Sequence, residues 1–254
     1  MKVKLPILAT ILSLSLGLSA CKNGATNSRA DTRTNNTTAN TENTNKVDTN
    51  TGNNSNNSSY KTENFNITDA DKALEQLKSG NERFVNNKSE LINVTSERRD
   101  QLKDGQKPYA VVISCSDSRV TPNIVFNAGL GEIFDIRIAG NVVDDNALGS
   151  IEYGVEHLNT PLIVVMGHQS CGAVTAAYEK YTKGTAVGGN MEDLVEEIEP
   201  RINKDKTLDD AIHANVTNVA NQIKQDPAVK KLIDDGKVKV VEAYYSLDGK
   251  VEFK

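Results

Sequence analysis

Two short stretches of this chain carry side chains able to do chemistry together: Cys-Ser-Asp-Ser-Arg at 115–119 and His-Gln-Ser-Cys at 168–171. Two thiolates and an imidazole fill three of the four tetrahedral positions that zinc prefers, which leaves the fourth for water or a substrate. That is the layout of a catalytic zinc, since a structural site would be closed by a fourth Cys or His. Cys115, His168 and Cys171 are therefore candidate ligands for one Zn2+ per chain. Asp117 and Arg119, two residues apart, can form a charge-assisted pair. The plain reading of that pair is a local salt bridge at a strand end, and the sharper one is a catalytic pair beside the metal.

Stepping from these residues to what must hold them, each stretch follows a continuous apolar run, Ala110 to Ile113 and Leu162 to Met166, and each leads into a helical pattern. Such runs, bounded by turn signals, predict buried parallel strands. The candidate ligands then lie where strands end and helices begin, the place where open α/β sheets bind ligands. Thr68 with Asp71 caps a helix carrying Ala70, Ala73, Leu74, Leu77 and Phe84 at helical spacing, interrupted by Gly80-Asn81. Residues 96–103 form a short helix ended by Gly105, and Pro108 opens the first central strand. Thr121-Pro122 reads as a cap and first-turn proline for a helix over 123–127. The next strand is 132–138. Asp144 or Asp145 caps a helix with Leu148, Ile151, Val155 and Leu158 on one face, ended by Asn159-Thr160-Pro161. Beyond His168 the chain is mostly helical, with a break at Gly188-Gly189. Helices are expected over 191–202, over 208–223 with a stripe of Ile212, Val216, Val219 and Ile223, and from Pro227 to Gly236. Residues 238–245 and 250–253 flank Asp248-Gly249 as a hairpin. The fold class is α/β, a mostly parallel central sheet flanked by helices, with right-handed crossovers and an antiparallel C-terminal hairpin.

Cys-x-Asp-x-Arg at 115–119, followed at 168–172 by His-x-x-Cys-Gly, resembles the β-class carbonic anhydrases, and Arg137-Ile-Ala-Gly-Asn141 resembles that family's Arg-x-Ala-Gly-Asn segment. The likeness covers about 65–254. The resemblance implies zinc held by Cys115, His168 and Cys171, with Asp117 and Arg119 as a dyad beside it, and Asp117 as a fourth ligand only in a closed state. It also implies reversible hydration of carbon dioxide to bicarbonate and a proton, by attack of a zinc-bound hydroxide. In the family an N-terminal helix packs against a partner subunit, which implies a homodimer or higher homo-oligomer. The same resemblance admits hydrolysis of carbon disulfide or carbonyl sulfide. A non-catalytic zinc-binding lipoprotein is a reading from a different class, although binding alone has no need of Asp117 and Arg119. The chain has no Trp, the residue on which some family members build a regulatory bicarbonate pocket.

The N-terminal quarter belongs to a different kind of chain. Lys2 and Lys4 precede a mostly apolar run from Leu5 to Leu18, and Leu18-Ser19-Ala20-Cys21 resembles a bacterial lipobox. Residues 1–20 read as a signal peptide, with Cys21 as the lipidated N-terminus of a mature chain anchored on the outer side of a bacterial membrane. Residues 22–64 hold 13 Asn, 10 Thr and 4 Ser in 43 positions, too little apolar surface to offset the entropy of ordering, so they are expected to be a disordered tether. A flexible chain of this length spans roughly 35 Å. Loss of two lysines and no acids with the leader moves the net charge from −5 to −7, which argues against nucleic acid and a polybasic membrane contact. In an exported protein a disulfide between Cys115 and Cys171 is the alternative to a metal, but it gives no reason for His168. His157, near a helix end, and His213 lie in no motif, and a second-shell or proton-shuttle role for His157 is the sharper alternative to a surface one.

Overall fold

The run Ala110–Ser114 (β1) is buried along its whole length, because it lies inside a five-stranded sheet with helices on both faces. The computed structural model describes residues 66–254; the leader, Cys21 and the tether lie outside them. The other strands are β2 (Ile133–Arg137), β3 (Leu162–His168), β4 (Lys239–Tyr245) and β5 (Val251–Phe253), in the order β2-β1-β3-β4-β5. All neighbours are parallel except β4 and β5, which are antiparallel. This is the expected mostly parallel sheet with a C-terminal hairpin. The hairpin turn is longer than the Asp248-Gly249 signal alone suggests. Ser246 pairs with Lys250, the Gly249 N–H donates to the Ser246 carbonyl at 2.9 Å, and Gly249 takes the positive φ of 106°.

The helices are α1 (Ala70–Val85), α2 (Ser96–Gln101), α3 (Pro122–Val125), α4 (Asp145–Glu152), α5 (Gly172–Lys183), α6 (Met191–Ile198), α7 (Leu208–Gln225) and α8 (Pro227–Asp234). Side-chain alternation in the strands divides the core. Ala110, Val112, Leu162, Val164 and Met166 pack with Ala73, Leu77 and Phe126 on one side. Val111, Ile113, Ile163 and Val165 pack with Ile151, Val155, Val216, Val219 and Ile223 on the other. The stripe on α7 is buried as its spacing predicts, and α7 starts with a full capping box between Thr207 and Asp210.

Local chemistry adjusts several expectations. The cap of α1 is Asp69, whose carboxylate accepts from the Lys72 N–H at 2.9 Å, and not Thr68. The helix expected over 191–202 stops at Ile198 and continues as a short 3-10 turn, Glu199–Arg201, because Pro200 cannot donate to the helical ladder. The helix from Asp144 is α-helical only to Glu152 and widens into a π turn, Tyr153–His157. The wider turn sets both Gly154 and Val155 against the sheet; a Cβ on Gly154 would stand 2.7 Å from Val111 Cγ2. Gly80-Asn81, which interrupts the pattern of α1, is where that helix docks. A Cβ on Gly80 would sit 1.8 Å from the Phe126 carbonyl oxygen, and the buried Asn81 bonds the backbone of Val125, Gly249 and Val251. Among the described residues no helix is long and apolar enough to cross a membrane.

Candidate metal centre

Three neighbouring element ends bring the candidate ligands together. Cys115 follows β1 directly, His168 is the last residue of β3, and Cys171 caps α5. The step from His168 to Cys171 needs a reversal within two residues, and Ser170 supplies it with a left-handed φ of 56°, a strained choice for a non-glycine residue. The ligand atoms of Cys115, His168 and Cys171 lie within 4.8 Å of one another, and all three residues are buried.

The donor set fits zinc. His168 Nδ1 lies 2.9 Å from the carbonyl of Gln169, which can only accept, so Nδ1 carries the proton and Nε2 keeps its lone pair. Nε2 is buried and has no hydrogen-bond partner, a cost that a metal would remove. The two sulfurs stand 3.9 Å apart, and both cysteines are free. Two thiolates each about 2.3 Å from a tetrahedral zinc would be about 3.8 Å apart. The two thiols also share one proton easily. The hydrogen bond from Cys171 pushes Cys115 down to about 4 against the opposing effect of burial, with the backbone N–H groups of Gly140 and Asp117 adding to it. Donating that proton pushes Cys171 up. The pair therefore gives up a first proton readily, as a metal-binding pair must.

Asp117 and Arg119 form the expected pair at the mouth of this cluster. Asp117 Oδ1 accepts from the Arg119 backbone N–H and from Nε, each at 2.9 Å, and Oδ2 accepts from an Arg119 Nη at 2.6 Å. These bonds hold the Asp117 carboxyl well below the usual carboxylate range, chiefly through the Arg119 side chain. Asp117 Oδ2 is 3.9 Å from His168 Nε2, so the carboxylate reaches the open side of the cluster. Arg119 also reaches the Ser170 carbonyl at 3.4 Å, linking the first motif to the second.

Two contributors carried no role in the sequence reading. Arg137 donates to the Cys115 carbonyl at 3.2 Å and to the Asp117 carbonyl at 2.7 Å, which fixes the loop between them. The backbone N–H of Gly140 donates to Cys115 Sγ at 3.3 Å. An arginine has a signal in the sequence; a backbone N–H has none. The remaining histidines make other contacts: His157 lies against Tyr153, ring centroids 5.3 Å apart, and His213 stacks on Tyr244 at 4.3 Å with Nε2 3.6 Å from Asp209.

Comparison with known proteins agrees with this geometry. The carbonic anhydrase family model matches residues 110–251, more than half of the chain. Carbonic anhydrase 2 of Mycobacterium tuberculosis (strain CDC 1551 / Oshkosh) is 42% identical over 182 residues, 69% of this chain and 88% of that protein. The carbonic anhydrase of Mycolicibacterium smegmatis is 39% identical over 189 residues, 72% of this chain and 92% of that one. Among solved structures, a Coccomyxa β-carbonic anhydrase in complex with acetazolamide matches with a TM-score of 0.54 at 27% identity, covering 60% of this chain and 74% of that one. A tetrameric β-carbonic anhydrase of Sordaria macrospora shares the fold, with a TM-score of 0.55 at 22% identity over 72% of this chain and 96% of the other. With the sheet order, the Cys-His-Cys cluster and these relatives in agreement, the chain belongs to the β-class carbonic anhydrases, enzymes whose general reaction is the hydration of carbon dioxide.

Proposed function

We propose that this chain interconverts carbon dioxide and bicarbonate at one zinc held by Cys115, His168 and Cys171, with Asp117 and Arg119 as the working dyad. The observation that carries this reading is the unpartnered Nε2 of buried His168, whose ring shares one buried donor cluster with two sulfurs 3.9 Å apart. Zinc held by Cys115, His168 and Cys171 would supply Lewis acidity, enough to bring the proton loss of a water at the fourth position near neutral pH. Two thiolates neutralise most of a dication's charge, so the protein groups around the fourth position matter more than they would beside three imidazoles. Asp117 presents an ionised acceptor 3.9 Å from His168 Nε2 and can hold a proton-bearing oxygen in one orientation. Arg119 occupies both carboxylate oxygens and so keeps Asp117 from swinging inward as a ligand. The deciding measurement is carbon dioxide hydration by the purified protein before and after zinc removal by a chelator. Activity that is lost with zinc and returns with it supports the reading; no hydration by zinc-loaded protein, with turnover of carbon disulfide or carbonyl sulfide instead, replaces the substrate.

The wider setting rests on the sequence. The leader and Leu18-Ser19-Ala20-Cys21 support a lipid anchor at Cys21, with the domain held outside a bacterial membrane on an Asn/Thr-rich tether. Firm membrane association of Cys21→Ser would overturn this. The exposed apolar side chains Leu91, Val94 and Ile124, each more than half exposed, support a homo-oligomer of at least two chains, as the family resemblance implies. A monodisperse, fully active monomer in sedimentation would contradict it.

A further inference from the structure

We propose that Asn215, on α7, is a positioning residue for the metal centre that acts through Gly140 on the sulfur of Cys115. The proposal rests on the reading of Cys115 as a metal ligand. Gly140 sits in a short 3-10 turn, Ala139–Asn141, that follows β2, and its N–H donates to Cys115 Sγ at 3.3 Å. Its φ of 68° lies in the left-handed region, and a Cβ there would stand 2.8 Å from Ile198 Cδ1 and 3.1 Å from Ala173 Cβ. Glycine is required by space and by torsion. Yet glycine does little to fix its own torsions, so the direction of this N–H must be set by something else.

Asn215 contributes to this from 75 residues away in sequence, by fixing the peptide on the other side of the Gly140 Cα. Its Nδ2 donates to the Gly140 carbonyl at 2.7 Å, while the next amide, Asn141 N–H, donates to the Ile138 carbonyl at 2.8 Å. The Gly140–Asn141 peptide is thus held on both sides, which limits rotation about Gly140 φ and ψ and with it the direction of the N–H on the preceding peptide. Asn215 is wholly buried, and its Oδ1 has no hydrogen-bond partner. A buried amide with one half unsatisfied carries a cost, and what the structure obtains for it is one donor on Gly140. The backbone N–H groups of Gly140 and Asp117 both bear on the Cys115 sulfur, and only the Gly140 one is tied through its own residue to a buried side chain of α7. An N–H directed at a thiolate draws charge away from it, which tunes how strongly the sulfur donates to a metal and how much positive charge remains for the open position. Outer partners of this kind typically contribute on the order of 10-fold to 100-fold in metal affinity or activity.

The test uses the full chain. Zinc affinity by chelator competition and the thiolate-to-metal charge-transfer band of the cobalt(II)-substituted protein are compared for wild type and Asn215→Leu, which keeps the size and removes the donor. The expected result is zinc affinity lower by about 10-fold and a shifted band, with metal-free thermal unfolding close to wild type. Wild-type affinity and an unshifted band in Asn215→Leu would overturn the proposal. Should Asn215→Leu fail to fold, Asn215→Ala is read in the same way. In cadmium-substituted wild type, through-bond coupling between the metal and the Gly140 amide is expected, and its absence overturns the route through Gly140. If Cys115→Ser kept wild-type zinc affinity, the ligand reading itself would fall, by a result distinct from any of these.

Discussion

Two glycine–asparagine pairs in this molecule do opposite kinds of work. At Gly80-Asn81 the missing Cβ lets α1 rest on the Phe126 carbonyl, and the Asn81 amide is fully used: Nδ2 donates to Val125 and Gly249, and Oδ1 accepts from Val251. At Gly140-Asn141 the missing Cβ brings an N–H onto Cys115, but the polar atoms nearby are not all satisfied. Asn141 Nδ2, Asn215 Oδ1 and His168 Nε2 are buried without partners. A pair that serves the fold closes its hydrogen bonds, because each one left open costs about 1–3 kcal/mol. A pair that serves a site leaves some of them open. The comparison predicts that changes in the first region cost stability with little change in chemistry per folded molecule, and that changes in the second cost chemistry with little change in stability.

The largest effects are expected at the proposed ligands. His168→Ala or Cys171→Ala leaves two protein ligands, so bound zinc, read by metal analysis, should fall to a small fraction of one per chain, and carbon dioxide hydration should drop to background. Retained stoichiometric zinc in either variant would break the site half of the comparison. Next comes the dyad. Asp117→Asn should keep zinc but lower turnover by about 10²-fold to 10⁴-fold, the range for a positioned catalytic group. Arg119→Ala should also lower turnover, with a fourth, oxygen ligand seen by X-ray absorption as the freed Asp117 swings inward.

The fold half is tested at Gly80 and Asn81. Gly80→Ala forces a methyl to within 1.8 Å of a backbone oxygen that has little room to retreat, and a cost of about 3 kcal/mol or more is expected. Asn81→Ala leaves two buried carbonyls and one N–H without their partner, for a loss of about 3 kcal/mol. Denaturant midpoints measure both losses, and turnover per folded, zinc-loaded chain should stay near wild type. A large fall in that turnover would show that α1 reaches the chemistry after all.

The same contrast explains what could be read in advance. Cys115, His168 and Cys171 announce themselves because two thiols and an imidazole at the ends of apolar runs are a natural donor set for zinc. The strands 110–114 and 162–168 are legible because a strand buried on both faces must be apolar throughout, and α7 because its stripe is regular. Asn215 carries no such signal. An asparagine two turns into a helix looks like an exposed residue until the sheet, and the turn behind it, are in place. The Gly140 N–H is invisible for a simpler reason, since every residue but proline has one. At the start of α1 both Thr68 and Asp69 can cap; which one does so depends on how the chain enters, and that is a tertiary matter. The π turn at 153–157 likewise follows from Gly154 lying against Val111.

The smallest predicted effect concerns Asp135, on edge strand β2, two residues before the Arg137 that holds the Cys115 and Asp117 carbonyls. Desolvation pushes its carboxyl up to about 6, opposed by the nearby charge of Arg137, although the side chain retains substantial exposure. The sign follows from linkage: a carboxyl whose pKa is higher folded than unfolded holds its proton better in the native state, so the native state loses relative stability as pH rises from about 4 toward 6. Below the unfolded value both states are protonated and the effect vanishes. Asp135→Asn removes the titration. Its denaturant midpoint should match wild type near pH 4 and exceed it near pH 7, by a modest amount given the exposure. The strand leading to the site would then be carrying an electrostatic cost that a neutral side chain avoids, which extends the contrast with Gly80-Asn81 from hydrogen bonds to charge. If the two midpoints differed equally at both pH values, Asp135 would contribute through packing alone, and the contrast would be confined to the unpartnered polar atoms around the metal centre.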